Sequence, residues 1–177
     1  PEQREWEELL RQNLGDFYYP LYIKANRKGV ETAWDYVADD PGLPRVIIIG
    51  DSISRGYTLT VRHTLKGEVN VHRAPENCGR TQNALDKLPI WLGGDRWDLA
   101  TFNFGIHDRE TPDDAYQENL EWIIGRLTQV ADRLLWVSST PVPDSAPEYR
   151  PGSVERLNAI ASRTMRDRQI PEVDLYR

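Results

Sequence analysis

Residues 46–52, Val-Ile-Ile-Ile-Gly-Asp-Ser, run four apolar β-formers straight into a serine. That pattern predicts a buried strand which turns sharply into a different element at Ser52. A serine at such a turn has two uses. Its hydroxyl can cap a helix by accepting a backbone N–H, or, exposed and relieved of its proton by a base, it can attack a carbonyl carbon. Two other stretches hold the residue types a nucleophile needs around it. Asn77-Cys78-Gly79-Arg80-Thr81 offers a glycine, whose backbone N–H can approach a developing negative charge without a side chain in the way. Gly105-Ile106-His107-Asp108 offers an imidazole and a carboxylate, which can move or hold protons.

The elements that must position these groups alternate regularly. Strands are expected over 45–50, 69–73, 99–104, 134–138 and 172–176. Helical spacing of apolar residues marks 113–131, with Thr111-Pro112-Asp113 as cap chemistry, and 153–167, with Ser153 as N-cap. Shorter helices are expected over 58–66 and 81–91, the second limited by Pro89. Strand and helix in alternation imply a three-layer α/β/α, flavodoxin-like sandwich with a central five-stranded parallel sheet. In such sheets ligands bind beyond the carboxyl ends of the strands. The loops after the first three strands carry Ser52, Gly79 and His107, and the loop after the fourth is Ser139-Thr140-Pro141-Val142-Pro143.

Upstream, residues 2–14 read as a short helix with Trp6, Leu9, Leu10 and Leu14 on one face, followed by an aromatic segment. Residues 1–43 are expected to form an N-terminal helical and aromatic extension, and 44–177 the main domain, with the turn-rich 39–44 as the boundary.

Gly50-Asp51-Ser52-Ile53-Ser54, Gly79 in its loop and Gly105-Ile106-His107-Asp108 together resemble the sequence blocks of the SGNH, or GDSL-like, hydrolases, serine esterases and lipases on a flavodoxin-like sheet. The resemblance spans about residues 45–177, and the blocks keep their order and spacing. It implies Ser52 as nucleophile and an oxyanion hole built from the Ser52 and Gly79 N–H groups and a third donor. The third block is usually Gly-x-Asn-Asp, so His107 stands where the donor asparagine is expected; Asn77 and Asn103 are reserve donors. Asp51 is expected to hold the turn and Asp108 to brace the loops by accepting N–H bonds. The stretches FNFGIHD and STPVP resemble a bacterial subgroup associated with carbohydrate degradation, which implies small acyl esters, including acetyl groups on sugars, as substrates.

The same resemblance implies a base: a histidine in an Asp-x-x-His block after the fifth strand. The chain's histidines are His63, His72 and His107, all upstream of that strand. Asp174 falls on the strand itself and is not read as the triad aspartate. The expectation is therefore a chain that stops at Arg177 before its catalytic segment, with that segment or a second chain completing the site. It opens at Pro1 rather than at methionine, so the natural N-terminus, with any signal peptide, is expected to be missing from this chain, and the compartment stays open between bacterial periplasmic or secreted and cytoplasmic. The alternative is a non-catalytic carbohydrate- or small-ester-binding module, or an inactive fragment, on the same fold. A flavodoxin-like nucleotide binder ranks last, because the first loop lacks a glycine-rich phosphate cradle.

Composition narrows the field. The chain has 177 residues, one cysteine and a formal net charge of −6. That size suits one domain with one core, the charge argues against nucleic acid as a partner, and a lone Cys78 makes no internal disulfide. No stretch approaches the ~18 consecutive apolar residues of a membrane span. The histidines show no HxH or HExxH spacing, so no metal is expected, and the esterase reading needs no cofactor. Cys78 reads as a small buried residue, Arg55 and Arg80 as residues flanking the cleft, His63 and His72 as surface or sheet-packing residues, and Trp91, Trp97, Trp122 and Trp136 as packing between helices and sheet.

Overall fold

The apolar run at 46–49 forms the middle of a parallel sheet. Strands β1 (Arg45–Ile49), β2 (Asn70–Arg73), β3 (Trp97–Phe102), β4 (Ala131–Val137) and β5 (Glu172–Val173) lie in the order β2-β1-β3-β4-β5. Every pairing is parallel: Ile47 stands opposite His72 on one side and Ala100 on the other. The structure, a computed structural model, describes residues 2–14, 28–94, 96–143 and 151–177. Helices α1 (Glu2–Asn13), α2 (Ser52–Thr64), α3 (Thr81–Leu92), α4 (Asp113–Val130) and α5 (Ser153–Asp167) complete the element list of these residues. The connection from β1 to β2 runs one way along the sheet and the later ones run the other. With right-handed crossovers, α2 therefore covers one face and α3, α4 and α5 the opposite face. The α/β/α sandwich expected from the alternation is the fold observed.

The core follows from which face each strand residue presents. Ile47, Ile49, Phe102 and Phe104 pack under Leu120, Ile123 and Leu127 of α4, with Trp136 and Leu157 beside them, all fully buried. Phe102 and Trp136 meet edge to face at 5.1 Å between ring centroids. Burying each such side chain contributes about 1.5–3 kcal/mol, which fixes the sheet and with it the loops at its carboxyl edge.

Several expected boundaries move. α2 begins at Ser52 rather than 58. β4 begins at Ala131 rather than 134, because α4 runs directly into it: Ala131 is at once the helix C-cap and an extended residue. β3 spans Trp97–Phe102, two residues upstream of expectation, and β5 is only two residues long, so Asp174 lies just past the strand. There its Oδ1 accepts the Tyr176 N–H at 2.9 Å. Gly152, in the left-handed region at φ 76°, takes the cap position assigned to Ser153, and Pro112 caps α4 without a side-chain bond. Pro89 sits inside the last turn of α3 rather than ending it. Trp122 is 38% exposed and lies under the Arg126 guanidinium instead of packing on the sheet; Trp91, Trp97 and Trp136 are buried.

The segment upstream of β1 is tied to the sheet. Leu10 and Leu14 pack with Trp34 against Ile90 of α3. Arg62 on α2 donates to the carbonyls of Thr32, Ala33 and Val71. Asp39 bridges Arg45 and His72 at 2.7 and 2.6 Å. Most of the aromatic segment, residues 15–27, lies outside the described residues.

Candidate active site at the carboxyl edge of the sheet

β1 ends at Ile49, and the chain must turn within Gly50-Asp51 to start α2. Asp51 makes the turn: its Oδ1 accepts the Ile53 N–H at 2.8 Å, so the aspartate is the N-cap. Ser52 is the first helical residue, and it is exposed. The helix-cap reading of the serine thus passes to its neighbour, leaving the Ser52 hydroxyl without that duty. Its backbone N–H stands at a helix N-terminus, where negative charge is favoured.

The second loop comes to the first through the Cys78 N–H, which donates to the Gly50 carbonyl at 3.1 Å. Gly79 follows at φ +68°, and a Cβ there would come within 2.8 Å of Asn83 Nδ2. The backbone conformation calls for glycine, and a Cβ would also have to displace the Asn83 amide. The third loop meets the second through Asp108. This buried carboxylate accepts both the N–H and the hydroxyl of Thr81, the latter at 2.7 Å, and the hydroxyl of Thr111. Burial pushes the Asp108 carboxyl up from its ordinary value, while the bonds from Thr81 and Thr111 pull it back. Asp108 therefore braces two loops and serves the N-terminus of α3, where Arg80 in the cap position makes no side-chain bond.

The third loop also meets the first. His107 Nε2 lies 3.6 Å from Oδ2 of Asp51, whose side chain is almost fully buried while that of His107 is 39% exposed. The three loops are thus joined pairwise: Gly50 to Cys78, Thr81 to Asp108, His107 to Asp51. The sequence-predicted residues Ser52, Gly79, His107, Asp51 and Asp108 sit on one connected set of loops at the switch between β1 and β3. Open α/β sheets place ligands at that point.

The reserve donors fare differently. Asn103 is buried and its Nδ2 already donates to Val137 O at 2.7 Å and Ser139 Oγ at 3.2 Å. Its amide is committed to holding β3 to the end of β4. Asn77 accepts from Arg73 at 2.9 Å through Oδ1. His63 is exposed against Glu31, and His72 packs edge-on against Trp97 at 5.0 Å. Cys78 is fully buried, and burial pushes its thiol up to about 12. Arg55 lies over the Trp34 ring at 5.6 Å. Among the described residues, no group of three or more His, Cys, Asp or Glu could hold a metal ion, and no helix is long and apolar enough to cross a membrane.

Two residues at this edge escape sequence reasoning. Arg73, at the end of β2, is buried and donates to both the first and second loops. Glu76 is buried and accepts from Trp91 Nε1 at 2.8 Å and from Lys87. Charged residues in a short strand and a loop read as solvated, and nothing local in the sequence marks them otherwise.

No protein-family model matches the chain, and no curated protein sequence does either. Solved structures do. A lipase/acylhydrolase from Enterococcus faecalis superposes with a TM-score of 0.67 at 20% identity, over 75% of this chain and 76% of that one. A protein described as an SGNH hydrolase, from Slackia heliotrinireducens, superposes with a TM-score of 0.59 at 15% identity, over 76% and 80%. The fold is that of the SGNH hydrolases. An acetylxylan esterase from Geobacillus stearothermophilus shares this SGNH fold with a TM-score of 0.62 at 12% identity, over 75% and 76% of the two chains. At these identities the likeness speaks for the SGNH fold alone.

Proposed function

We propose that the protein is a serine esterase acting on small acyl esters, acetyl groups on carbohydrate among them, through an acyl-enzyme on Ser52. The observation that carries this reading is the division of labour at the turn: Asp51 caps α2, so Ser52 is left exposed at the helix N-terminus. In the first step Ser52 Oγ attacks the ester carbonyl and its proton passes to a base. The tetrahedral oxyanion is held by the Ser52 and Gly79 N–H groups and His107, and the alcohol leaves with the proton. Water then attacks the acyl-enzyme, releases the carboxylic acid and restores Ser52. By the SGNH resemblance, the base is a histidine in an Asp-x-x-His block that follows the fifth strand. Neighbours whose names declare acetyl xylan esterases support a sugar ester as substrate.

Turnover of p-nitrophenyl acetate by the protein and by Ser52→Ala tests the proposal, with mass spectrometry of a fluorophosphonate adduct locating the nucleophile. Loss of turnover in the variant and an adduct on Ser52 are expected. Equal rates, or an adduct elsewhere, refute the nucleophile.

A second reading, a binding module that holds a carbohydrate or small ester without turnover, draws on one observation. His63 and His72 are paired with Glu31 and Asp39, away from the serine turn. Saturable binding of acetylated xylo-oligosaccharide with no Ser52-dependent turnover is its signature.

A further inference from the structure

Arg73 makes more hydrogen bonds than its place at the end of a four-residue strand suggests. It is 6% exposed. Its Nε donates to Ser54 Oγ at 3.2 Å. Its Nη1 donates to the carbonyls of Ala74 at 2.9 Å and Glu76 at 3.1 Å. Its Nη2 faces the carbonyls of Gly50 at 3.2 Å and Asp51 at 2.8 Å, Ser54 Oγ at 3.0 Å and Asn77 Oδ1 at 2.9 Å. Every one of these acceptors is neutral. Half belong to the turn that carries Ser52, and the others to the loop that leads into Gly79.

A buried cation hydrogen-bonded only to neutral groups is costly to desolvate, and an apolar residue would fill the same space more cheaply. Burial accordingly lowers the Arg73 guanidinium to about 10. What an apolar residue cannot supply is the planar fork: five N–H donors in fixed directions, able to grip two backbone segments at once. The Ser52 and Gly79 N–H groups are on those two segments. Their separation must match an oxyanion to a fraction of an ångström, and a misplacement of ~1 Å can cost ~10²-fold in rate.

We infer that Arg73 is a positioning residue of this site: its guanidinium clamps the Ser52 turn to the Gly79 loop and so sets the distance between their two backbone N–H groups. The inference rests on the esterase reading for its kinetic consequence, but not for its structural one.

The test compares the full-length protein with Arg73→Lys, which keeps the charge and loses the fork. Ser52-dependent turnover and hydrogen–deuterium exchange are both followed. The expected result is a fall in kcat of ~10²-fold with KM changed less than ~3-fold. Exchange should rise jointly in peptides covering 50–54 and 76–81, while α4 stays protected. Wild-type kcat, a loss confined to KM, or exchange rising in only one segment overturns the inference. If the wild-type protein shows no Ser52-dependent turnover, the esterase reading fails and the exchange comparison alone decides the clamp. If Arg73→Lys does not fold, Asn77→Ala removes one acceptor from the loop side. It should raise exchange at both 50–54 and 76–81, and no change at 50–54 overturns the inference.

Discussion

His107 Nε2 stands 3.6 Å from Asp51 Oδ2, so the imidazole of the third loop faces the residue beside Ser52. The separation is longer than a hydrogen bond. A ring nitrogen serves an oxyanion only while it carries a hydrogen, and serves as a base only while it does not. As an oxyanion donor, His107 is replaceable by the amide that the family uses in its place. As a base for Ser52 it is not.

The expected outcome is that His107→Asn keeps kcat within ~10-fold of wild type while His107→Ala loses ~10²–10³-fold, the usual cost of one oxyanion donor. Steady-state kinetics on p-nitrophenyl acetate read both. Equally poor variants would instead make His107 the base.

The sequence announces the sheet and most of the candidate site because each signal is local. Four β-formers ahead of Gly50 make a strand, and the loops after the first three strands carry Ser52, Gly79, His107 and Asp108, which the SGNH resemblance picks out together. The start of α2 is hidden because its first turn, Ser-Ile-Ser-Arg-Gly, has no apolar stripe, and its cap is an aspartate that could equally hold a loop. β4 is read late because Asp132 and Arg133, at its exposed beginning, look like a turn. Arg73 is illegible for a different reason. Its acceptors lie on residues 50–54 and 74–77, which only the pairing of β2 with β1 brings together.

Gly79→Ala probes the second loop. The left-handed backbone at φ +68° disfavours any Cβ, and this one would press on Asn83 Nδ2, which donates to Cys78 O at 3.0 Å. A loss of about 1–2 kcal/mol is expected, a Tm fall of roughly 2–8 °C, read by thermal unfolding. Because the Gly79 N–H must shift as well, kcat should fall further than the stability loss alone explains. A variant with unaltered kcat would remove Gly79 from the oxyanion hole.

Cys78 lies between the two loops yet belongs to the core. With its thiol pushed up to about 12 by burial, the folded protein holds Cys78 as the unreactive thiol at pH 8. Ellman's reagent should therefore react with the native protein at the slow rate of opening and with the urea-unfolded protein rapidly, at one thiol per chain. Rapid labelling of the folded protein would put the sulfur at the surface of the cleft.

His72 is one of the groups that tie the N-terminal segment to the sheet, and it should make that contact sensitive to acid. Burial lowers its pKa below the ordinary 6.5, with the bond to Asp39 opposing the shift. In the window just below 6.5 the unfolded chain therefore binds more protons at this position than the folded one, so stability rises with pH through the window and falls on acidification. His72→Gln keeps a polar side chain beside Asp39 but cannot titrate. Urea unfolding of both proteins between pH 7.5 and 5.5 should show the wild type losing more stability than the variant. If the variant loses as much, the acid sensitivity comes from other groups; if the wild type loses less, Asp39 outweighs burial and holds the ring charged in the folded state.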